Sequence, residues 1–248
     1  FDKKLLSCKN IGVFPDLAIR LNKERAIFSG GELVELKDSM SYAVSSFNST
    51  IPSRSKNIKE IIGSANGIVK RQMEKAGNEI LSLPKRDVFY LIRGKKAGKT
   101  KICLVSGAFF ETITVDNLIS QSFAQVFQER MAESKKNIPE ELQKVLTDLF
   151  SKQANFSKVR NIDKASVKLR FRIMTEVKAE GNILNSVKYP QIKDDSLNFI
   201  LSCDSEQQEK SIYDKLKLVF SQKELKDFDF FKIKHPLNGY FFVAQTNL

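Results

Sequence analysis

Alternating apolar and polar positions predict short strands between residues 14 and 38. The strand-like runs are FPDLAIRL (14–21), RAIFSG (25–30) and ELVELKD (32–38), with turns at NKE and at Gly30-Gly31. Side chains alternate between the two faces of a strand, so Leu33, Glu35 and Lys37 share one face of the third run. The pattern therefore places a carboxylate and an ammonium group side by side on a strand with apolar neighbours.

The rest of the chain alternates between predicted helices and predicted strands. Residues 41–56 are rich in Ser, Thr and Asn and predict a long loop. Apolar residues at helical spacing predict helices at 57–83 (ended by Pro84), 115–136, 139–152 and 206–222. The predicted strands are 87–94, 101–113, 167–179, 197–203 and 239–246. We therefore expect an α/β (α+β) fold with a mixed central β-sheet flanked by helices.

Charge and residue usage narrow the classes of function. The net charge is +12, from 41 Lys and Arg against 29 Asp and Glu, which favours a polyanionic partner, nucleic acid first and an anionic membrane second. No apolar run approaches the roughly 18 residues that span a membrane, and no signal-peptide pattern opens the chain. We therefore expect a protein that does not insert into a membrane.

Cysteine and histidine are too sparse for several kinds of site. Cys8, Cys103 and Cys203 lie far apart with no CxxC spacing, which argues against a disulfide scaffold and a zinc site and indicates a reducing cytoplasm. The single histidine, His235, excludes His-rich zinc sites and nucleases of the HNH type. A Ser-His-Asp triad would have to use His235, and no nucleophile-elbow sequence supports one.

The segment GKKAGKT (94–100) is similar to a phosphate-binding P-loop but departs from it twice. Its glycines are separated by three residues where the motif needs four. A strand-like run, KICLVSG, follows it, whereas a P-loop opens a helix whose N-terminus faces the phosphates. We therefore predict a hairpin turn and no nucleotide cofactor, although the lysines could still touch a nucleic-acid backbone.

A second constellation has the residue types that phosphodiester hydrolysis requires. Asp16 follows Pro15 where a strand begins, and Glu35-Leu36-Lys37 comes nineteen residues later. Hydrolysis needs a divalent cation that neutralises the phosphate and supplies a hydroxide near neutral pH, and Mg²⁺ prefers oxygen ligands. Asp16 and Glu35 can converge if their strands are neighbours, with the Leu36 carbonyl close by, and Lys37 can reach the attacking water or the phosphate.

This arrangement resembles the PD-(D/E)xK nuclease superfamily, which includes the type II restriction endonucleases. The resemblance covers about residues 12 to 105 and rests on PD at Pro15-Asp16, ExK at Glu35-Leu36-Lys37, and the order of elements. In that family the Asp strand and the ExK strand are adjacent, and a helix and another core strand follow. The resemblance implies that Asp16, Glu35 and the Leu36 carbonyl bind Mg²⁺ and that Lys37 orients or activates the water.

The sequence departs from the family pattern at two points. The family fold normally begins with a helix ahead of the Asp strand, and only FDKKLLSCKNIGV stands there. Glu32 and Asp38 flank the motif and are further candidates for a metal ligand, although Glu32 falls on the other face and Asp38 at the strand end. A structural ion pair between Glu35 and Lys37 is the alternative to a catalytic site.

Two segments carry side chains that could contact DNA. The predicted loop at 41–56 leaves the ExK strand and offers Ser46, Asn48, Arg54 and Lys56, of the types that contact phosphates and base edges. The alternative is an ordinary surface loop. In the predicted strand at 167–179 the cations Lys168, Arg170 and Arg172 share one face, which suits either a phosphate backbone or a solvated edge.

The resemblance predicts a Mg²⁺-dependent endodeoxyribonuclease that cuts double-stranded DNA at a specific sequence, as type II restriction endonucleases do. We expect a nuclease core at 1–155 and an accessory region at 156–248 that completes the sheet, contacts DNA or does both. If the family habit holds, the protein is a homodimer on a palindromic site. The alternatives are a structure-specific or repair nuclease of the same fold, and a non-catalytic DNA-binding protein.

Overall fold

The structure is a computed structural model of the chain. It describes residues 6–8, 15–19, 31–44, 46–48, 52–59, 71, 84–111, 121–122, 125–126, 128–130, 132–133, 139–142, 144–145, 159–162, 165–167, 174–176 and 179–248. The chain divides into two compact units. The first comprises residues 1–47, 52–111 and 176–248, and the second comprises residues 48–51 and 112–175.

Nine of the described strands form one mixed sheet in the first unit. They are β1 (Leu6–Cys8), β2 (Leu17–Ile19), β3 (Leu33–Ser39), β5 (Ser55–Asn57), β6 (Lys85–Lys96), β7 (Lys99–Ser106), β11 (Ser196–Ser202), β12 (Asp229–His235) and β13 (Gly239–Asn247). The order is β1-β2-β3-β6-β7-β11-β13-β12, and β5 pairs with β6. The strands outside this sheet are β4 (Ser46–Asn48), β8 (Val159–Ile162), β9 (Ala165–Val167) and β10 (Met174–Glu176).

Two strand pairs make the sheet mixed. β3 pairs with β6 in parallel, and β7 pairs with β11 in parallel. Parallel neighbours need a long crossover connection, and these pairs are separated by the segments 40–84 and 107–195. The expected α/β (α+β) class with a mixed central sheet is confirmed.

One face of the sheet forms the main core. Because side chains alternate along each strand, β6 buries Val88, Tyr90 and Ile92 on this face. The same cluster of buried residues includes Phe47, Phe109, Phe110, Ile183, Leu184 and Ile192. Each buried aliphatic or aromatic side chain stabilises the fold by about 1.5–3 kcal/mol.

On the opposite face, a helix covers the part of the sheet that the C-terminal strands form. Helix α1 (Glu206–Val219) packs Ile212 and Leu216 against the cluster around Phe242. It begins at the N-cap Ser205, whose side chain accepts a hydrogen bond from the Gln208 N–H. The short helix α2 (Gln222–Leu225) follows, and 3₁₀ turns lie at Gly107–Phe110 and Ala179–Gly181. No described helix is long and apolar enough to cross a bilayer.

Several elements differ from the sequence prediction. The predicted loop at 41–56 contains β4 and part of β5, because β5 finds a partner in the first residues of β6. The strand predicted at 101–113 ends at Ser106, where the 3₁₀ turn begins. Strand β12 was not predicted, although DFFKIKH alternates between the two faces.

Other predictions fall partly or wholly outside the described residues. The strand predicted at 25–30 lies outside them, and the one at 167–179 is described only in β9, β10 and the 3₁₀ turn at Ala179–Gly181. Helical backbone is present at 58–59 and 71, and within both helices predicted between 115 and 152. These helical residues are 121–122, 125–126, 128–130, 132–133, 140–142 and 144–145.

The compact units do not follow a linear division near residue 155. Strands β11, β12 and β13 belong to the same sheet as β3, β6 and β7, so the C-terminal residues complete the sheet of the first unit. The second unit holds the antiparallel pair β8–β9.

Candidate active site

A bulge at Gly31 sets how β2 and β3 pair. Gly31 has φ +85°, a conformation that glycine adopts without steric cost. The Gly31 N–H donates to the Ile19 carbonyl at 2.8 Å, and the Ile19 N–H donates to the Glu32 carbonyl at 2.8 Å. Two residues of one strand therefore oppose one residue of the other, as in a β-bulge. The antiparallel register that follows pairs Ala18 with Leu33.

This register brings Asp16 beside the ExK motif. Leu17 pairs with Val34, so Asp16, one residue before β2, stands opposite Glu35. The Asp16 Oδ2 accepts a hydrogen bond from the Leu36 N–H at 2.8 Å. The N–H and C=O of one strand residue point to the same side, so the Leu36 carbonyl is directed towards the same edge. The Asp16 carboxylate therefore lies against the Leu36 backbone, at the register position opposite Glu35.

Glu35 and Lys37 form a shielded ion pair on the core face of β3. The Lys37 Nζ lies 3.2 Å from the Glu35 Oε1, and the side chains are 20% and 13% exposed, respectively. Opposite charges attract more strongly where the surrounding protein lowers the effective dielectric constant. The predicted sharing of one face by Leu33, Glu35 and Lys37 is confirmed by the burial pattern of β3.

An aromatic wall supports this pair. Tyr90 is the parallel partner of Glu35 on β6, and its ring packs against Phe47 and Phe110 with centroid distances of 5.1 Å. The Lys37 ammonium lies 5.5 Å from the Phe47 ring centroid, within the range of a cation–π contact. These rings limit the positions that the Lys37 side chain can adopt.

Tyr90 is a site residue that the sequence reasoning missed. Its side chain is fully buried, and its hydroxyl makes no hydrogen bond to any residue that the structure describes. Burial, and to a smaller extent the negative charge of Glu35, raise the pKa of Tyr90, so the hydroxyl stays protonated. The tyrosine in DVFYLIRG was visible in the sequence, but its pairing with Glu35 depends on the register of β3 and β6.

The two other candidate ligands are engaged elsewhere. Asp38 lies on the opposite face of β3 and makes two hydrogen bonds with Arg93, at 3.0 and 2.6 Å. The Arg93 guanidinium lowers the pKa of Asp38. Glu32 lies in the bulge, and its charge acts on the buried Arg86, where it opposes the lowering of the Arg86 pKa by burial. Neither carboxylate joins Glu35 on its face.

Of the predicted DNA contacts, the structure describes the side chains of Arg54 and Lys56. Arg54 is exposed and lies 3.6 Å from Glu111, and Lys56 is half-buried in β5, opposite Arg86. Ser46 and Asn48 lie in β4, and their side chains are outside the described part of the structure. Lys168, Arg170 and Arg172 also lie outside the described residues.

The residues at the end of β2 fit a hard cation. Among the described residues, no group of three or more His, Cys, Asp or Glu side chains could hold a metal ion. Mg²⁺ does not need such a group, since one or two carboxylates, waters and substrate oxygens commonly complete its shell. Asp16, Glu35 and the Leu36 carbonyl supply oxygen ligands only. The buried Tyr90 hydroxyl adds a polar atom on the strand next to Glu35.

The segment GKKAGKT forms a hairpin, as predicted. Ala97 and Gly98 have φ values of 50° and 79° and join β6 directly to β7. Positive φ at both central residues is typical of a type I′ turn. The segment therefore lacks the helix N-terminus with which a P-loop binds phosphates.

Comparison with known proteins adds no relative. No protein-family model matches the chain, and no curated protein or solved structure matches it.

Proposed function

We propose that this protein is a Mg²⁺-dependent endodeoxyribonuclease with a PD-(D/E)xK site and a restriction-endonuclease-like core. The observation that carries the proposal is the hydrogen bond from the Leu36 N–H to Asp16, a residue 20 positions earlier in the chain. A purely structural ion pair between Glu35 and Lys37 needs no second carboxylate at this point. A cation site gives it a role, because Mg²⁺ is commonly bound through one or two carboxylates together with waters and substrate oxygens.

The residues of the site take separate roles in this proposal. Asp16, Glu35 and the Leu36 carbonyl hold Mg²⁺. When bound, the ion neutralises charge on the scissile phosphate and lowers the pKa of its water. Lys37, fixed between Glu35 and the Phe47 ring, directs its ammonium at the attacking water or at a phosphate oxygen.

The charge of the whole chain supports a nucleic-acid substrate. A net charge of +12 attracts a duplex over distances longer than any single contact. We extend the proposal to a type II restriction endonuclease that acts as a homodimer on a palindromic site, with each protomer cutting one strand.

The test compares three isosteric or near-isosteric variants. We expect Asp16→Asn and Lys37→Gln to reduce Mg²⁺-dependent cleavage of plasmid and phage DNA by about 100-fold or more. Asp38→Asn is the matched control, because Asp38 lies on the same strand but on the opposite face, paired with Arg93. It should retain activity. Circular dichroism confirms that each variant is folded, and EDTA should abolish cleavage by the unsubstituted protein.

The fragment pattern separates the alternatives. Discrete fragments indicate a sequence-specific enzyme and allow its site to be mapped. A Mg²⁺-dependent smear favours a structure-specific or repair nuclease. DNA binding without cleavage, unchanged in the Asp16 and Lys37 variants, would overturn the proposal in favour of a non-catalytic DNA-binding protein.

A further inference from the structure

The tip of the β6–β7 hairpin lines a basic cleft that the proposed chemistry does not use. The cleft has a volume of about 360 Å³ and is bordered by Met40 and by residues 95–100. Three of these residues are lysines: Lys95, Lys96 and Lys99. Lysine ammonium groups around an open cleft suit an anionic ligand with several oxygens, such as a phosphate backbone.

The base of the hairpin is fixed by acidic residues ahead of β11. The Lys99 Nζ lies 3.0 Å from Asp194, and the Thr100 N–H donates to the Asp195 Oδ1 at 2.9 Å. Lys101 is buried beneath the Tyr42 ring, with its Nζ 5.0 Å from the ring centroid. These contacts anchor the strands that carry the tip, so little conformational freedom is lost when a ligand binds there.

The charges of Lys95 and Lys96 remain available at the tip. The nearby acids are used by other partners, with Asp38 paired to Arg93 and Asp194 paired to Lys99. Lys95 is half-buried and its charge helps Arg93 to lower the pKa of Asp38, whereas Lys96 is exposed, and neither lysine forms an ion pair with a residue that the structure describes. An unpaired surface ammonium releases no protein partner when it binds a phosphate.

The hairpin stands at a defined distance from the candidate active site. β3 and β6 run in parallel, with Glu35 beside Tyr90 and Ser39 beside Gly94. Lys95 lies five residues beyond Tyr90 along β6, or about 17 Å at about 3.3 Å per residue, on the opposite face of the sheet, and Lys96 follows on the same face as Tyr90. One strand of a duplex advances about 3.4 Å per step, so this distance spans about five base steps.

We infer that the β6–β7 hairpin is a phosphate clamp, in which Lys95 and Lys96 bind the backbone of a DNA duplex about five base steps from the cut. This inference rests on the proposed nuclease function. It adds a contact surface that holds the duplex without reading its bases, since phosphate contacts fix position and carry no sequence information.

The test measures how DNA affinity depends on salt. A fluorescein-labelled duplex in EDTA is titrated with protein at several salt concentrations, and binding is followed by anisotropy. The double variant Lys95→Gln/Lys96→Gln should make the negative slope of log K against log salt shallower by about 2, because each lost phosphate contact removes about 1 from its magnitude. Its affinity should fall at least about tenfold at about 0.1 M salt.

The control is a double variant with the same change in charge. Lys210 and Lys215 are exposed on α1, so Lys210→Gln/Lys215→Gln should leave the slope unchanged. An equal loss in both variants, or no loss in the hairpin variant, would overturn the clamp. If the unsubstituted protein cleaves DNA in that case, the proposed function stands without it. If the unsubstituted protein neither binds nor cleaves DNA, the proposed function fails, and the clamp fails with it.

Discussion

His235 shows how one buried side chain can organise a turn. It is 4% exposed, and its Nδ1 accepts hydrogen bonds from the Leu237 N–H at 3.2 Å and the Asn238 N–H at 3.0 Å. The Asn238 side chain in turn donates to the carbonyls of Phe109 and Glu111 at 2.9 and 3.0 Å. The histidine therefore ties the β12–β13 turn to the 3₁₀ turn beside the core.

The protonation of His235 should make stability depend on pH. Burial lowers the pKa of His235 below its usual value, and the negative charge of Glu180 only partly opposes this. The unfolded chain then binds the proton more readily, so the free energy of unfolding falls as pH drops through about 6.5. The loss approaches about 1.4 kcal/mol per pH unit and stops below the folded-state pKa.

The variant His235→Asn isolates this effect. The asparagine Oδ1 can accept the same two backbone hydrogen bonds and does not titrate. Urea unfolding between about pH 7.5 and about pH 5.5 should therefore show a flatter pH dependence in this variant than in the unsubstituted protein. An identical pH dependence in the two proteins would contradict the assignment.

At the scale of elements, Gly107 marks a close approach between backbones. A Cβ at this position would lie 2.2 Å from the Ser53 carbonyl oxygen and 2.9 Å from that of Val88. We expect Gly107→Ala to lower the free energy of unfolding by about 2–3 kcal/mol, since backbone must move to relieve the overlap.

Gly98→Ala is the comparison for Gly107→Ala. Gly98 has φ +79° and open space around it, so this substitution costs only backbone strain, about 1 kcal/mol. Chemical denaturation of both variants checks the difference. A smaller loss in Gly107→Ala than in Gly98→Ala would show that the contact with Ser53 is not tight.

Elements with strong local signals were predicted best. The hairpin of β6 and β7 combines apolar alternation with a turn that tolerates positive φ, and helix α1 has a capping serine before an amphipathic run. β5 carried no such signal, because the residues SKN become a strand only through pairing with β6. The residues of β12 do alternate like a strand.

For the whole molecule, the C-terminal strands are part of the sheet. β11 pairs with β7 in parallel, and β13 follows β11. A chain truncated to residues 1–155 would expose the edge of β7 and lose Ile200, Phe241 and Val243 from the main core. We expect this fragment to lack the cooperative thermal transition of the full chain. A cooperative transition in the fragment, measured by circular dichroism, would contradict the observed topology.

The sequence by itself determined the local features of this protein. Alternation fixed which residues of β3 share a face, and the turn residues fixed the β6–β7 hairpin, because both depend on interactions between neighbours in the chain. The tertiary structure alone decided what lies opposite these residues. The bulge at Gly31 sets the register that brings Asp16 to Leu36, and the parallel pairing of β3 with β6 places Tyr90 beside Glu35. Such pairings are selected by the packing of the whole sheet, in which a shift by one residue would turn every side chain to the other face.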